Sequence, residues 1–144
     1  MKKVVYTANA PEPVGPYSQA VMMGDSVYLS GQICIDATTG ALQNESIESE
    51  TKQVLNNLTQ VLLAADCSVD DLIRTDIFMT DISNFAVVNE LYDIWLQACI
   101  IKPSRQTVEV AKLPKNARIE ISCIAYKSQG RHNEQIDNRG YKNS

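Results

Sequence analysis

Apolar and polar residues alternate in four short runs of this chain. The alternation predicts β-strands, because successive side chains of a strand point to opposite faces. The four runs are residues 3–7, 18–23, 27–30 and 72–80. A Gly-Asp-Ser turn at residues 24–26 joins the second run to the third as a tight hairpin. Residues 9–16 and 31–44 are predicted to be loops, from their prolines, glycines and turn residues.

Two longer segments carry apolar residues at intervals of three and four, the spacing of one face of an α-helix. The first covers residues 47–66 and has Ser46 as its expected N-cap, with Glu48 and Glu50 in the first turn, where the helix dipole favours anions. The second is expected to begin after a cap at Asp81 or Ser83. We interpret its apolar stripe as core, and the stripe consists of Phe85, Val88, Leu91, Tyr92 and Trp95.

Residues 102–127 contain two further alternating runs around a Pro-Lys-Asn turn, so they predict a second β-hairpin. In the register that this turn implies, Glu109 lies opposite Arg118 on one face of the sheet. These two residues are expected to pair, which leaves Arg105 diagonal to Glu120 on the same face. An anion anchor beside a general base is one interpretation. The alternation alone favours another, an exposed ion pair worth only about 0–1 kcal/mol.

The element order β-β-β-α-β-α-β-β contains no repeat and no linker. Two helices of this length can cover one face of a mixed sheet, so the expected fold is an α+β sandwich in a single domain over residues 1–127. The uncovered face, on which we place Tyr28 and Ile77, would be closed by further copies of the chain in a homo-oligomer. Residues 128–144 have almost no apolar side chains and are predicted to form a flexible tail.

Composition and charge restrict the chemistry. A net charge of −4 over 144 residues does not favour a nucleic-acid groove. No apolar run approaches the roughly 20 residues that cross a bilayer, and the first residues lack the apolar core of a secretory signal, so we expect a cytoplasmic protein. The four cysteines are scattered, and the only histidine is His132. Zinc sites and histidine-activated nucleophiles are therefore not expected.

Four motifs in register resemble the RidA (YjgF) family. They are GPYSQA at residues 15–20, LSGQI at 29–33, PSRQTVEVAKLP at 103–114 and RIEISCIA at 118–125. The similarity covers about residues 3–127. It implies a chorismate-mutase-like α+β fold, assembled as a homotrimer whose sheets form a central barrel, with three clefts between subunits.

The resemblance also implies a set of site residues. In the enamine/imine deaminase branch of the family, the residue matching Arg105 binds the substrate carboxylate, and the residue matching Glu120 positions or activates the hydrolytic water. Further substrate-binding residues would be Tyr17, Ser30, Gly31, Asn89 and Thr107. Thr107 stands where many members have cysteine, so no thiol chemistry is expected there.

The implied reaction is hydrolysis of 2-iminopropanoate, 2-iminobutanoate and the 2-aminoacrylate-type enamines in equilibrium with them. The products would be 2-keto acids and ammonia, and the chemistry needs no metal or organic cofactor. Two other classes of function remain open. A trimer could bind small carboxylates such as 2-ketobutyrate through Arg105 without turnover. Family members have also been linked to translation inhibition and RNA cleavage, against which the acidic net charge argues.

Overall fold

A computed structural model describes residues 1–128 of the chain. The first helix, α1 (Ile47–Ala64), begins as the sequence predicts. The Ser49 N–H donates to Ser46 Oγ (3.0 Å) and the Ser46 N–H donates to Ser49 Oγ (3.1 Å), which closes a capping box. The apolar stripe of α1 is buried, with Val54 and Leu58 both 0% exposed.

The second helix, α2 (Phe85–Trp95), follows one turn of 3-10 helix at Ile82–Asn84. Asp81 caps this turn, because its carboxylate accepts a hydrogen bond from the Ser83 N–H (2.9 Å). Of the two candidate caps, Asp81 is therefore the one used, although it stabilises the 3-10 turn that leads into α2.

In residues 1–128, six strands form one mixed sheet. They are β1 (Lys2–Val5), β2 (Ala20–Met23), β3 (Ser26–Gln32), β4 (Leu72–Met79), β5 (Ser104–Glu109) and β6 (Ile119–Tyr126). Their order across the sheet is β1-β2-β3-β6-β4-β5, and only the β4–β5 pair is parallel. Both helices pack on the same face, which confirms the predicted α+β class.

The predicted pairing of residues 102–127 as a hairpin is wrong, because β4 lies between β5 and β6. Ile77 of β4 is the neighbour of Thr107 on one side and of Ile121 on the other. The Pro-Lys-Asn turn does form, as a 3-10 turn with Lys115 and Asn116 at φ of 55°. Alternating side chains identify a strand but not the strands that pair with it. Here the segment between β5 and β6 crosses the end of β4, so β6 pairs with β4 and not with β5.

The ion pair expected between Glu109 and Arg118 is also wrong. Arg118 Nε donates to Glu50 Oε1 of α1 (2.8 Å), and the Glu50 side chain is 0% exposed. Glu109 instead accepts a hydrogen bond from the Ile82 N–H (2.9 Å). The partner of Arg118 lies 68 residues away in sequence, beyond the reach of any local pattern.

The sheet face that no helix covers carries several exposed aromatic side chains. Tyr28 and Tyr126 are 49% and 52% exposed there. Ile77, expected on this face, instead lies in the core at 1% exposure. No helix within residues 1–128 is both long and apolar enough to cross a membrane. The tail was predicted over residues 128–144, and from residue 129 onward it lies outside the described residues.

Candidate active site

A cavity of about 470 Å³ opens beside β3 and the start of β6. Four of the predicted site residues line it, namely Tyr17, Ser30, Gly31 and Glu120. Two hydrogen bonds to the backbone just before β2 hold Ser30 in place. Ser30 Oγ donates to the Ser18 carbonyl (2.6 Å), and the Ser30 N–H donates to the Gln19 carbonyl (2.9 Å). The Ser30 oxygen can still accept a hydrogen bond from a ligand.

Glu120 provides the carboxylate of this cavity and is partly buried. Burial raises the pKa of Glu120 above its usual value, because desolvation disfavours the charged form. Gly31 leaves the space that this side chain occupies. A Cβ built on Gly31 would lie 2.7 Å from Glu120 Oε2 and 2.8 Å from Cδ. A carboxylate with a raised pKa, held against bare backbone, has the properties of a general base.

Gly31→Ala should lower kcat for any reaction that uses Glu120 by about tenfold or more, because small displacements of a catalytic group are costly. The three heavy atoms nearest to the added methyl group all belong to the Glu120 side chain. The free energy of unfolding should therefore change by no more than about 1 kcal/mol. Thermal denaturation and steady-state kinetics measured on the same preparation would check both values. A folded variant with unchanged kcat would contradict this placement of the Glu120 carboxylate.

Gln19 shapes the opposite wall of the cavity, and sequence analysis did not single it out. It is 1% exposed, and its Nε2 donates to the carbonyls of Thr7 (3.0 Å) and Pro11 (2.9 Å). Its Oε1 accepts from the Thr7 N–H (2.7 Å). The buried amide thus fixes the proline-rich loop, which carries Tyr17 and Val14 into the lining. The sequence signal that could have identified Gln19 is its position within the Gly-Pro-Tyr-Ser-Gln-Ala motif.

Within residues 1–128, the charged side chains that line the cavity are Glu12, Lys115 and Glu120. Glu12 accepts a hydrogen bond from the Tyr6 hydroxyl. Lys115 has no carboxylate within 4 Å in that part of the chain. Two carboxylates and one amine give the cavity a mixed character, unlike a basic groove that follows a nucleic-acid backbone.

Arg105 lies at a different place, on the edge strand β5 and beneath α2. Its guanidinium carbon is 5.3 Å from the ring centroid of Phe85 and 5.2 Å from that of Tyr92. Arg105 Nη1 also donates to Asn89 Oδ1 (2.6 Å). Phe85 and Tyr92 were predicted to be core residues only, and that prediction was incomplete because both rings also support the arginine by cation–π contact.

The guanidinium of Arg105 has no carboxylate partner among residues 1–128. It is therefore a fixed cation whose other N–H groups can bind an anion, and a guanidinium grips a carboxylate through two parallel hydrogen bonds. Thr107 follows on the same face of β5. Its Oγ1 is buried and makes no hydrogen bond within the described part of the chain, so a hydroxyl group with unused hydrogen-bonding capacity lies beside the arginine.

One copy of the chain does not unite these two groups. In the sheet register, Arg105 is the neighbour of Thr75 and Glu120 is the neighbour of Phe78, and alternation places Thr75 and Phe78 on opposite faces. The strand β4 also separates them by about 10 Å across the sheet, and the three-residue offset from Thr75 to Phe78 adds about 10 Å along it, so their backbones lie about 14 Å apart. Arg105, Asn89 and Thr107 are absent from the lining of the Glu120 cavity within residues 1–128. Within one copy, the Arg105 cradle and the Glu120 cavity are therefore separate.

These features define a small α+β protein with an arginine cradle at one sheet edge and a carboxylate cavity on the other face. The family model described as Endoribonuclease L-PSP matches residues 7–127. The chain therefore belongs to the RidA (YjgF) family, as its motifs predict.

Individual relatives agree with this assignment. A RutC family protein of Pyrococcus horikoshii is 44% identical, over 88% of this chain and 99% of the relative. A 2-iminobutanoate/2-iminopropanoate deaminase of Rattus norvegicus is 41% identical, over 87% of this chain and 90% of the relative. The crystal structure of E. coli TdcF with bound serine matches with a TM-score of 0.84 at 36% identity, over 88% of this chain and 99% of that one.

Proposed function

We propose that this protein is a 2-iminobutanoate/2-iminopropanoate deaminase, which hydrolyses 2-imino acids and their enamine tautomers to 2-keto acids and ammonia. The partly desolvated Glu120 carboxylate beside Gly31 carries the proposal, because a partly buried base that lines a ligand-sized cavity suits proton transfer from water. The rat relative that bears this name supports the same reaction. The serine bound to TdcF supports a substrate built on an amino-acid skeleton.

The active site is assembled from two copies of the chain. Arg105 from one copy meets Glu120 from another in a cleft between subunits, and three such clefts form in a homotrimer whose open sheet faces line a central barrel. Two observations support this arrangement. Arg105 and Glu120 lie on opposite sheet faces within one copy, so a single copy cannot bring them together. The open face exposes Tyr28 and Tyr126, which association would bury.

Arg105 binds the substrate carboxylate through its guanidinium, and Asn89 and the two aromatic rings keep that group oriented. Thr107 offers a hydroxyl beside the anchor. Tyr17, Ser30 and the Gly31 backbone surround the reacting carbon and the attacking water on the Glu120 side. Because the imine is intrinsically hydrolysable, orientation and acid–base assistance supply the catalysis.

In the first step, the oxygen of water bonds to C2 of the imine while Glu120 takes one water proton. Glu120 passes this proton to the imine nitrogen as the C=N bond becomes single, which gives a carbinolamine and leaves the carboxylate ionised again. In the second step, Glu120 takes the proton of the carbinolamine hydroxyl and delivers it to the nitrogen, so the C–N bond breaks, ammonia leaves and the hydroxyl oxygen becomes the keto oxygen. One water and one imine thus give one keto acid and one ammonia, without a cofactor.

A coupled assay tests the reaction directly. A threonine or serine dehydratase generates the imine in place, and keto-acid release is followed with and without this protein. We expect the protein to accelerate release beyond the spontaneous rate. Absence of acceleration by a folded, assembled preparation would contradict the proposed function and would favour a carboxylate-binding role. Retained 2-ketobutyrate binding by calorimetry would then support that alternative.

An RNA-directed activity is the second candidate, because the matching family model bears the description Endoribonuclease L-PSP. The mixed charge of the cavity and the net charge of −4 argue against it. Repurification at high salt separates the two activities. RNA cleavage that disappears while imine hydrolysis remains would come from a contaminant. The cytoplasmic location stays a prediction.

A further inference from the structure

Three polar residues of α1 are completely buried, and one of them, Thr51, donates its hydroxyl to the Ile47 carbonyl of the same helix (2.7 Å). The other two have partners outside the helix. Glu50 and Asn57 are both 0% exposed and lie among the apolar residues of the core stripe. They are two helical turns apart, so they share one face at a separation of about 10 Å along the axis. Burying a carboxylate and an amide is costly unless both are fully hydrogen-bonded. Their partners therefore indicate what the two residues do.

Glu50 holds the start of β6. Its Oε2 accepts hydrogen bonds from the backbone N–H groups of Arg118 (2.6 Å) and Ile119 (3.2 Å). Its Oε1 accepts from Arg118 Nε (2.8 Å). Glu120 is the next residue along the strand, so the backbone that carries the proposed catalytic base is fastened to α1 directly before it.

Asn57 holds the loop that follows β3. Its Nδ2 donates to the carbonyls of Ile33 (3.0 Å) and Ile35 (2.8 Å). Gln53 Nε2 donates to Asn57 Oδ1 (2.9 Å), which fixes the orientation of the amide. Both isoleucines line the cavity, so this wall also rests on α1.

A further hydrogen bond links the two segments that Glu50 and Asn57 hold. Arg118 Nη2 donates to the Asn44 carbonyl (2.9 Å), which joins the end of the loop after β3 to the start of β6. The helix, the loop and the strand thus form a closed frame of hydrogen bonds. We call Glu50, Gln53 and Asn57 the α1 polar network.

We propose that the α1 polar network positions the active site: Glu50 and Asn57 hold two walls of the cavity at the separation that keeps the Glu120 carboxylate beside Gly31 and shielded from bulk solvent. The inference rests on the proposed function, because it assigns Glu120 as the base. Neither residue touches substrate, so both are positioning residues. Apolar residues at these two positions would bury as well but could not hold backbone groups.

Glu50→Ala removes three hydrogen bonds from the start of β6. We expect kcat to fall about 10- to 100-fold, with KM changed less than about threefold because Arg105 is untouched. The acid limb of the pH–rate profile should also move to lower pH, since a loosened Glu120 gains water and burial is what raises its pKa. The other ionisable groups of the cavity lining, Glu12, Tyr17 and Lys115, stay in place.

Ser46→Ala is the matched control, because it removes the N-cap of the same helix without touching the network. It should lower stability while leaving kcat and the acid limb of the folded enzyme unchanged. Glu50→Gln, which keeps an acceptor for the backbone N–H groups, should recover part of the kcat lost in Glu50→Ala. Asn57→Ala supplies an independent test in case Glu50→Ala does not fold.

The outcomes separate the two proposals. The positioning role is supported if the wild-type protein hydrolyses the imine and the acid limb shifts in Glu50→Ala or Asn57→Ala but not in Ser46→Ala. The positioning role is overturned if the wild-type protein hydrolyses the imine and the folded network variants have the same kcat and the same acid limb as the wild type. That result leaves the deaminase function intact. A wild-type protein without hydrolysis overturns the proposed function first, and the positioning role with it.

Discussion

Glu120→Gln should lower kcat for 2-imino acid hydrolysis by about 10²- to 10⁴-fold, the usual contribution of a positioned acid–base group. Glutamine has nearly the same shape but cannot take a proton from water, so the cavity should keep its form. Binding of a non-reacting 2-keto acid should change little, because the carboxylate anchor is Arg105. Steady-state kinetics in the coupled assay and calorimetric binding of 2-ketobutyrate measure the two effects separately.

The pH dependence follows from the same carboxylate. Only ionised Glu120 can act as a base, so kcat/KM should fall as the pH falls through the pKa of Glu120. Burial raises this pKa above the ordinary 4.5, and the acid limb of the wild-type profile should accordingly lie above that value. Residual activity of Glu120→Gln should lack this limb. A variant that keeps the wild-type rate and profile would show that another group is the base.

The contribution of Glu120 to the free energy of unfolding should depend on pH in the opposite direction to the activity. A carboxyl group with a raised pKa in the folded protein favours folding at low pH, and this contribution is lost as the pH rises through the folded-state pKa. At neutral pH the wild-type protein therefore bears the cost of a partly buried charge that Glu120→Gln removes. Thermal denaturation at neutral pH should give the variant a Tm equal to or above that of the wild type, which excludes unfolding as the cause of lost activity.

Arg105→Ala should lower kcat/KM by about 10- to 150-fold, mainly through KM. Hydrogen bonds to a charged group contribute about 1.5–3 kcal/mol, and this range corresponds to that ratio. The substitution also removes the cation from the cradle formed by Phe85, Tyr92 and Asn89. Affinity for 2-ketobutyrate, measured by calorimetry, should fall in parallel.

Arg105→Lys distinguishes charge from geometry at this position. Lysine keeps the positive charge but loses the planar fork that binds a carboxylate in two places and stacks on aromatic rings. We expect it to recover less than half of the lost binding free energy. Unchanged KM and keto-acid affinity in a folded Arg105→Ala protein would contradict the assignment of Arg105 as the substrate anchor.

Local sequence signals predicted the elements of this fold well. Ser46 and the apolar stripe after it located the start of α1, because capping and helical periodicity depend on neighbouring residues only. The same holds for the turn at Pro114–Asn116. Motif similarity then selected the four residues that share the cavity, Tyr17, Ser30, Gly31 and Glu120, although their separation in sequence gives no indication that they meet.

Contacts between distant segments were not predictable from the pattern. The insertion of β4 between β5 and β6 depends on pairing across the whole sheet, and it moved Glu120 to the face opposite Arg105. Glu50 was interpreted as a first-turn residue favoured by the helix dipole, yet it is the buried partner of Arg118. Phe85 would fit the apolar stripe of α2 equally well without Arg105 over its ring. In each of these three cases, the sequence pattern near the residue is the same whether or not the long-range contact forms.

The central claim is that each active site takes Arg105 from one copy and Glu120 from another, and mixed oligomers test it most directly. Arg105→Ala and Glu120→Gln chains are co-refolded in equal amounts, and imine hydrolysis is compared with each variant refolded alone. Random assortment leaves both residues intact in about a quarter of the clefts, one half for each subunit. At substrate concentrations well below the wild-type KM, where both variants alone are nearly inactive, we predict recovery of about a quarter of wild-type activity. Activity no greater than the average of the separate variants, in oligomers shown to be mixed, would contradict the shared site.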